Sequence, residues 1–361
     1  MIHMYDVLVI GAGQAGLAAG YYLQQSGLTF LIVDAASSIG ESWRKRYDSL
    51  RLFTPRMYDG LPGMPLSGDK NSLPSKDEIA DYFESYAKKM DLPIKLNCKI
   101  SRLTKQDEVY YAETNDGTIE ARNIIVATGP FQTKNVPHFA KALSEHVIQL
   151  HSSEYKNMSQ LLPGTTVVVG GGNSGAQIAV ELTSDDKQTV YISIARNITF
   201  RPLHIMRRSI FWYFEKLGIL RASADRMVGK WLRNQPEYVY GYELKELMTQ
   251  GKVNLRPRAI NAIDDRILYE DGSETRIDNI IWATGFKRND GWIDIDTAFD
   301  SQGVILHERG VSPVAGLYFI GLPWQTSRGS ALLGWVKYDA QRIVSHIKGK
   351  SHYTKIDARD D

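Results

Sequence analysis

Tyr5-Asp6-Val7-Leu8-Val9-Ile10 runs directly into Gly11-Ala12-Gly13-Gln14-Ala15-Gly16, and the pattern returns as Thr166-Val167-Val168-Val169 before Gly170-Gly171-Gly172-Asn173-Ser174-Gly175. Each apolar run reads as a buried strand, and each glycine run as the turn that opens a helix, over Leu17–Gln25 and Ala176–Leu182. The repeat continues downstream. Asp116-Gly117 precedes a polar strand and then Asn123-Ile124-Ile125-Val126-Ala127-Thr128-Gly129; Asp271-Gly272 precedes another and then Asn279-Ile280-Ile281-Trp282-Ala283-Thr284-Gly285. Gly11 to Gly129 spans 118 positions and Gly170 to Gly285 spans 115. Two copies of one domain plan are the simplest account.

The chemistry of the turns follows from their geometry. The first glycine allows a tight strand-to-helix turn, the second lets backbone approach a pyrophosphate, and the third lets helix pack on strand. The helix N-terminus then offers N–H groups and a positive dipole to phosphate. A lone motif of this kind is weak, but here Asp34 closes Leu31-Ile32-Val33, where an acid accepts from ribose hydroxyls. In the second copy the strand Thr189–Ala195 ends in Arg196 instead, which suits a 2′-phosphate; the competing reading is a solvated strand-end charge. The pairing is FAD on the first domain and NADPH on the second, with NADH still open. The expected fold class is α/β, two Rossmann-like dinucleotide-binding domains of three-layer type. The FAD domain covers 1–160 and 288–361; the inserted NADPH domain covers 161–287, with a helical insertion near 202–250.

Between the motifs, Ser75 and Glu78 spell a capping box for a helix whose Ile79, Phe83, Tyr86, Ala87 and Met90 share a face. Ile94, Leu96, Cys98 and Ile100 alternate as one face of a strand. Leu317–Ile320 reads as a late buried strand ended by Gly321, and Ala331–Ile347 as a closing helix. Ile205 to Leu220, broken by Arg207, Arg208, Glu215 and Lys216, reads as a packed amphipathic helix, with contact to a membrane surface as the lesser reading.

Composition limits the function. The 361 residues allow two domains, and 43% hydrophobic with 23% charged residues is ordinary globular make-up. Lys+Arg of 43 against Asp+Glu of 41 gives no basic surplus for nucleic acid. One cysteine excludes an intramolecular disulfide, a CxxC pair and a cysteine-based zinc site, and the eight histidines show no HxxxH spacing, so no metal is expected. Met1-Ile2-His3-Met4-Tyr5-Asp6 has no basic, then apolar, leader pattern, and no run approaches the roughly 18 apolar residues of a membrane span. The expectation is a soluble cytoplasmic protein without an integral membrane segment, with a homodimer left open.

These motifs resemble the class B flavin-dependent monooxygenases, which include flavin-containing monooxygenases and YUCCA-type enzymes, over essentially the whole chain. Gly40-Glu41-Ser42-Trp43 is similar to the family's GGxW element, whose tryptophan lies near the flavin. Ala127-Thr128-Gly129 and Ala283-Thr284-Gly285 look like its two ATG elements, and Leu317–Gly321 like the strand that ends at the FAD diphosphate. The resemblance also implies that Leu52 lies beside the flavin, that Ile100 meets the adenine through its backbone, and that Gly170, Gly172, Asn173, Ser174 and Gly175 hold NADPH. Two departures stand out. The fingerprint FxGxxxHxxxY survives as His151 and Tyr155, with Glu145 and Val147 at its Phe and Gly positions. Phe53 in Arg51-Leu52-Phe53-Thr54-Pro55 stands where an asparagine is expected beside the flavin; its plainer reading is a core aromatic.

The resemblance implies hydride transfer from NADPH to the flavin, then reaction with O2 through a C4a-(hydro)peroxyflavin to oxygenate a small sulfide or amine. A helix starting near Gly329-Ser330 would point its positive end at the reduced ring, and Phe53 and Trp324 are the pocket candidates. Two rivals remain open: a reductase or oxidase passing electrons to another acceptor, and a non-catalytic flavin-binding accessory protein.

Overall fold

The computed structural model describes residues 4–357, with side chains through residue 349. Met1, Ile2 and His3 of the leader reading, and residues 358–361 of the first domain's second segment, lie outside the described residues.

Tyr5–Ile10 is buried on both faces because it lies inside a parallel sheet, and its Val7, Leu8 and Val9 are fully enclosed. Ile94–Lys95, Phe30–Val33, Tyr5–Ile10, the end of Gly117–Val126 and Leu317–Phe319 lie side by side and parallel. Alternation then sorts the side chains. Val7, Val9, Ile32, Ile125 and Tyr318 face a helical layer of Gln14–Gln24, Lys76–Lys89 and the start of Val336–Asp357. Leu8, Ile10, Val33, Ile124 and Phe319 face the opposite layer, an antiparallel meander of Ile100–Gln106, Val109–Thr114 and the start of Gly117–Val126. The capping box at Ser75 and Glu78 forms as its spacing predicts.

The second unit repeats the plan. Val253–Arg256, Gln188–Ser193, Gly164–Val169, Asn279–Trp282 and Ile148–His151 form a parallel sheet in that order, with a meander of Ala259–Ile263, Arg266–Tyr269 and Glu274–Arg276. In each copy an asparagine lies where the strand beside the central one enters the parallel sheet. The Asn123 amide donates to the Asp6 carbonyl at 2.9 Å, and fully buried Asn279 exchanges bonds with the Leu162 N–H and C=O.

Four expectations need correction. Ile148–His151 lies in the second sheet, although the first domain was expected to run to residue 160; the second sheet takes its outer parallel strand from before its glycine loop, where the first takes Leu317–Phe319 from after the whole second unit. Ile94 to Ile100 is not one strand. Asn97 turns the chain at φ 53°, where its N–H reaches the Ala36 carbonyl and that of Cys98 the Asp34 carbonyl, so Ile94 packs on the helical side and Cys98 and Ile100 on the meander side. The closing helix begins at Val336, because residues 329–335 form tight turns in which the Leu332 N–H meets the Gly329 carbonyl. The stretch from Ile205 to Leu220 is divided. His204–Ile205 and Arg208–Ser209 pair as a hairpin across Met206 and Arg207, both at positive φ, and the helix is Ile210–Lys216, capped by the Ser209 hydroxyl.

Cys98 is buried, and burial pushes its thiol pKa up, away from the thiolate that redox chemistry requires. Cys98→Ala is therefore expected to leave unchanged the nicotinamide oxidation that the resemblance implies. A loss of turnover exceeding any loss of stability would restore a thiol-based mechanism.

Candidate dinucleotide sites and the cleft between them

Both glycine loops show the same division of labour. A Cβ on Gly16 would sit 1.8 Å from the Gly11 carbonyl oxygen, and one on Gly175 would sit 2.0 Å from that of Gly170. These glycines let each helix pack onto its own strand. Gly11 (φ +110°) and Gly170 (φ +126°) press against the Ala127 and Ala283 carbonyls, which ties each loop to its downstream ATG turn. At Gly13 and Gly172 a Cβ would meet nothing within 4 Å. Each of these two N-caps a helix with no side-chain cap and no acid in its first turn. An open concavity facing bare helix N–H groups fits a pyrophosphate, and it does so twice.

Around the first loop, the Gln14 amide donates to the Ala331 carbonyl at 3.1 Å, and the Cβ of Ala15 is 3.1 Å from where one on Gly321 (φ +87°) would lie. Asp34 accepts from the Ala12 N–H at 2.6 Å and the Ala36 N–H at 2.8 Å. A carboxylate has roughly four lone-pair sites, so it retains capacity for ribose hydroxyls. Gly40 (φ +78°) lies against Ala80 and opens the turn carrying Trp43, and Leu52 joins the same helical-side core. Gly129 (φ +72°) and Gly285 (φ +79°) end the two ATG turns in open space.

Around the second loop, Asn173 is engaged by structure: its amide donates to the Tyr238 carbonyl and accepts from the Tyr240 N–H. Ser174 lies half-buried in the first turn of the same helix. Gly171 lies against Ile194 and Ile198, so the segment bearing exposed Arg196 runs alongside the glycine loop.

The two connections between the units pair with each other. Thr133–Lys134 and Phe286–Lys287, each just past an ATG turn, form an antiparallel ribbon. The Thr284 hydroxyl donates to the Asn135 carbonyl, and the Asn135 amide donates to that of Thr284. Beside the ribbon opens a cleft of ≈ 320 Å³ lined by Ser42, Arg46, Phe131, Lys134, Ser153 and Phe286 among others. The Arg46 guanidinium lies 5.4 Å from the Phe131 ring centroid and 4.9 Å from that of Phe286. His151 is buried and its Nε2 lies 3.0 Å from the Gly285 carbonyl oxygen; burial lowers its pKa, which favours the neutral ring. Gln177 on the second domain's helix holds the Arg51 backbone and accepts from the Tyr47 hydroxyl at 3.1 Å. None of Arg46, Phe131, Phe286 or Gln177 lies in a glycine motif, so the motifs gave no sign of them. Their one signal was adjacency: Arg46 to the tryptophan element, Phe131 and Phe286 to the ATG elements, and Gln177 to the second glycine motif.

Phe53 and Trp324 do not meet in ring contact among the described residues. Phe53 stacks on Tyr240 at 4.8 Å and Phe211 at 5.8 Å, in a cluster with Leu220 and Trp335, so the insertion roofs the segment beside the first site. Trp324 is half-buried at φ 57°, an unusual conformation for an aromatic residue. Tyr155 is buried under the helix Asn173–Leu182.

A model of the pyridine nucleotide-disulphide oxidoreductase family matches residues 8–204. An uncharacterized CzcO-like oxidoreductase of Geobacillus kaustophilus is 50% identical over 96% of this chain and 99% of its own. A probable indole-3-pyruvate monooxygenase of the YUCCA type from Arabidopsis thaliana is 25% identical over 94% of this chain and 88% of its own. Among solved structures, a flavin-containing monooxygenase from Stenotrophomonas maltophilia superposes with a TM-score of 0.81 at 26% identity, over 97% of this chain and all of that one.

Proposed function

Because the chain belongs to the pyridine nucleotide-disulphide oxidoreductase family, within its flavin monooxygenase branch, we propose that it is an FAD-dependent, NADPH-oxidising monooxygenase acting on a small sulfide or amine. The observation that carries this reading is the pairing of the two ATG exits into one ribbon, with a cleft at its side. Two dinucleotides laid on the two glycine loops would extend their reactive ends toward that shared cleft.

FAD and NADPH, when bound, supply hydride transfer and oxygen activation; the protein binds, orients and keeps water out. Gly11, Gly13, Gly16, Gln14, Ala15 and Gly321 would cradle the FAD pyrophosphate and Asp34 its ribose. The backbone at Ile100 would meet the adenine, and Gly40, Trp43, Leu52, Ala127 and Gly129 would flank the flavin. Gly170, Gly172, Ser174 and Gly175 would take the NADPH pyrophosphate, and Ala283 and Gly285 its nicotinamide end. Asn173 acts there by fixing residues 238–240. His151 would hold the Gly285 carbonyl in place, and Arg46 sets a positive charge on the cleft. Phe53 and Phe211 donate no hydrogen bond, and the Tyr240 hydroxyl is turned to Arg328 at 3.2 Å, so turnover should be partly uncoupled. NADPH consumption with an added sulfide should yield sulfoxide together with hydrogen peroxide. Consumption with peroxide alone, for every sulfide and amine offered, would make the protein an oxidase.

Arg196 would select the 2′-phosphate. Arg196→Gln is expected to raise KM for NADPH by about ten- to a hundredfold, from the loss of one charge-assisted contact of about 1.5 to 3 kcal/mol. NADH kinetics should barely change; equal effects on both nucleotides would show a surface charge only.

A further inference from the structure

The helix Met227–Arg233 in the insertion is inverted. It buries Gly229 and Leu232, while Met227 is 87% exposed, Val228 60% and Trp231 62%. Residues 227 and 231, and 228 and 231, are one turn apart, so the three form a single outward stripe. The inner face is fixed. A Cβ on Gly229 would sit 1.9 Å from the Ser223 carbonyl oxygen, and Ser223 and Ala224 are bonded to Ser327 and Thr326 of the first domain. The helix is thus mounted with no room to rotate its apolar stripe inward. Ile205, Met206 and Leu217, on the hairpin and helix just before it, are exposed as well. Arg226, Lys230 and Arg233 flank the stripe, all exposed and none in an ion pair among the described residues, against the one acid Asp225.

Exposed apolar side chains at this density on a monomer mark a contact surface. Its form is a short convex ridge of Trp, Met and Val with basic neighbours, which suits a flat interface carrying negative charge. An isologous contact with a second copy would set this net-basic patch against itself, which opposes it. We propose that the 204–233 insertion seats the enzyme on an anionic lipid bilayer, with Met227, Val228 and Trp231 entering the headgroup boundary and Arg226, Lys230 and Arg233 on lipid phosphates. Since the same insertion roofs Phe53, the docked enzyme would present that roof to molecules dissolved in the membrane.

The test is co-sedimentation of the flavin-loaded, full-length protein with vesicles of phosphatidylcholine, alone or mixed with phosphatidylglycerol. Mixed vesicles should bind on the order of a hundredfold more tightly, because each of three surface cations contributes roughly a fivefold factor near an anionic leaflet. High salt should remove most of that gain. M227S/W231S and K230E/R233E should each weaken binding at least tenfold, with flavin content and NADPH oxidation in solution unchanged. The proposal falls if neither vesicle binds, if both bind alike, or if the variants bind as the parent does. It also falls if the patch variants instead abolish a concentration-dependent dimer, or the capture of an acidic polypeptide without lipid. Membrane binding and nicotinamide oxidation are read separately, so failure of one leaves the other standing.

Discussion

Gly13→Val should give a protein that folds and comes through purification colourless. A side chain at position 13 meets no protein atom within 4 Å, so nothing in the chain resists it. The residue caps its helix at φ −78° and ψ −169°, extended backbone that valine adopts freely. The new methyl groups would fill the concavity that the pyrophosphate needs. Losing two charge-assisted bonds to the helix N-terminus, at about 1.5 to 3 kcal/mol each, weakens FAD binding by at least about a hundredfold. Gly16→Val should behave oppositely: its Cβ would lie 1.8 Å from the Gly11 carbonyl oxygen, so the strand–helix unit itself fails. Flavin-to-protein ratio and thermal melting, with flavin-stripped parent protein as the reference, check both. A yellow Gly13→Val protein would show that this loop does not hold the flavin.

The second large effect concerns stability. Asp59 is fully buried; one carboxylate oxygen accepts from the Thr54 hydroxyl at 2.6 Å and the other has no hydrogen-bond partner among the described residues. Burial pushes its pKa up from 3.8 to about 7, with the Thr54 bond and the Arg56 charge pulling the other way. Between those values the folded state keeps a proton that the unfolded state has released, so stability falls as pH rises and levels off above about 7. The full difference is about 4 kcal/mol at 1.36 kcal/mol per pH unit. Asp59→Asn keeps the shape without the ionisation. It should exceed the parent by up to about 4 kcal/mol in denaturant unfolding at pH 8 and by much less at pH 5. A gap independent of pH would mean that Asp59 is ionised at no cost.

The glycine loops and the tandem plan were legible because their constraints are local: close backbone approach, positive φ and an apolar strand before the turn. Asn123 and Asn279 were visible only through the repeat of the sequence, since each bonds a residue 117 positions away. The placement of Ile148–His151 was not legible, because a parallel edge strand joins its neighbour through hydrogen bonds to residues more than a hundred positions away. Alternation from Ile94 to Ile100 misled because Asn97 turns the chain between two faces that are both apolar. The cleft depends on the pairing of Thr133–Lys134 with Phe286–Lys287, which no periodicity encodes. Phe53 shows the same limit: its partners Phe211 and Tyr240 come from an insertion that packs across the domain boundary.

The most direct test mixes the purified flavin-loaded protein with NADPH in the absence of oxygen and follows the flavin absorbance. The two loops with one cleft between them predict rapid, complete bleaching by NADPH, slower bleaching by NADH, and return of the colour on admitting oxygen. A flavin that stays oxidised under excess NADPH and excess NADH would contradict the account.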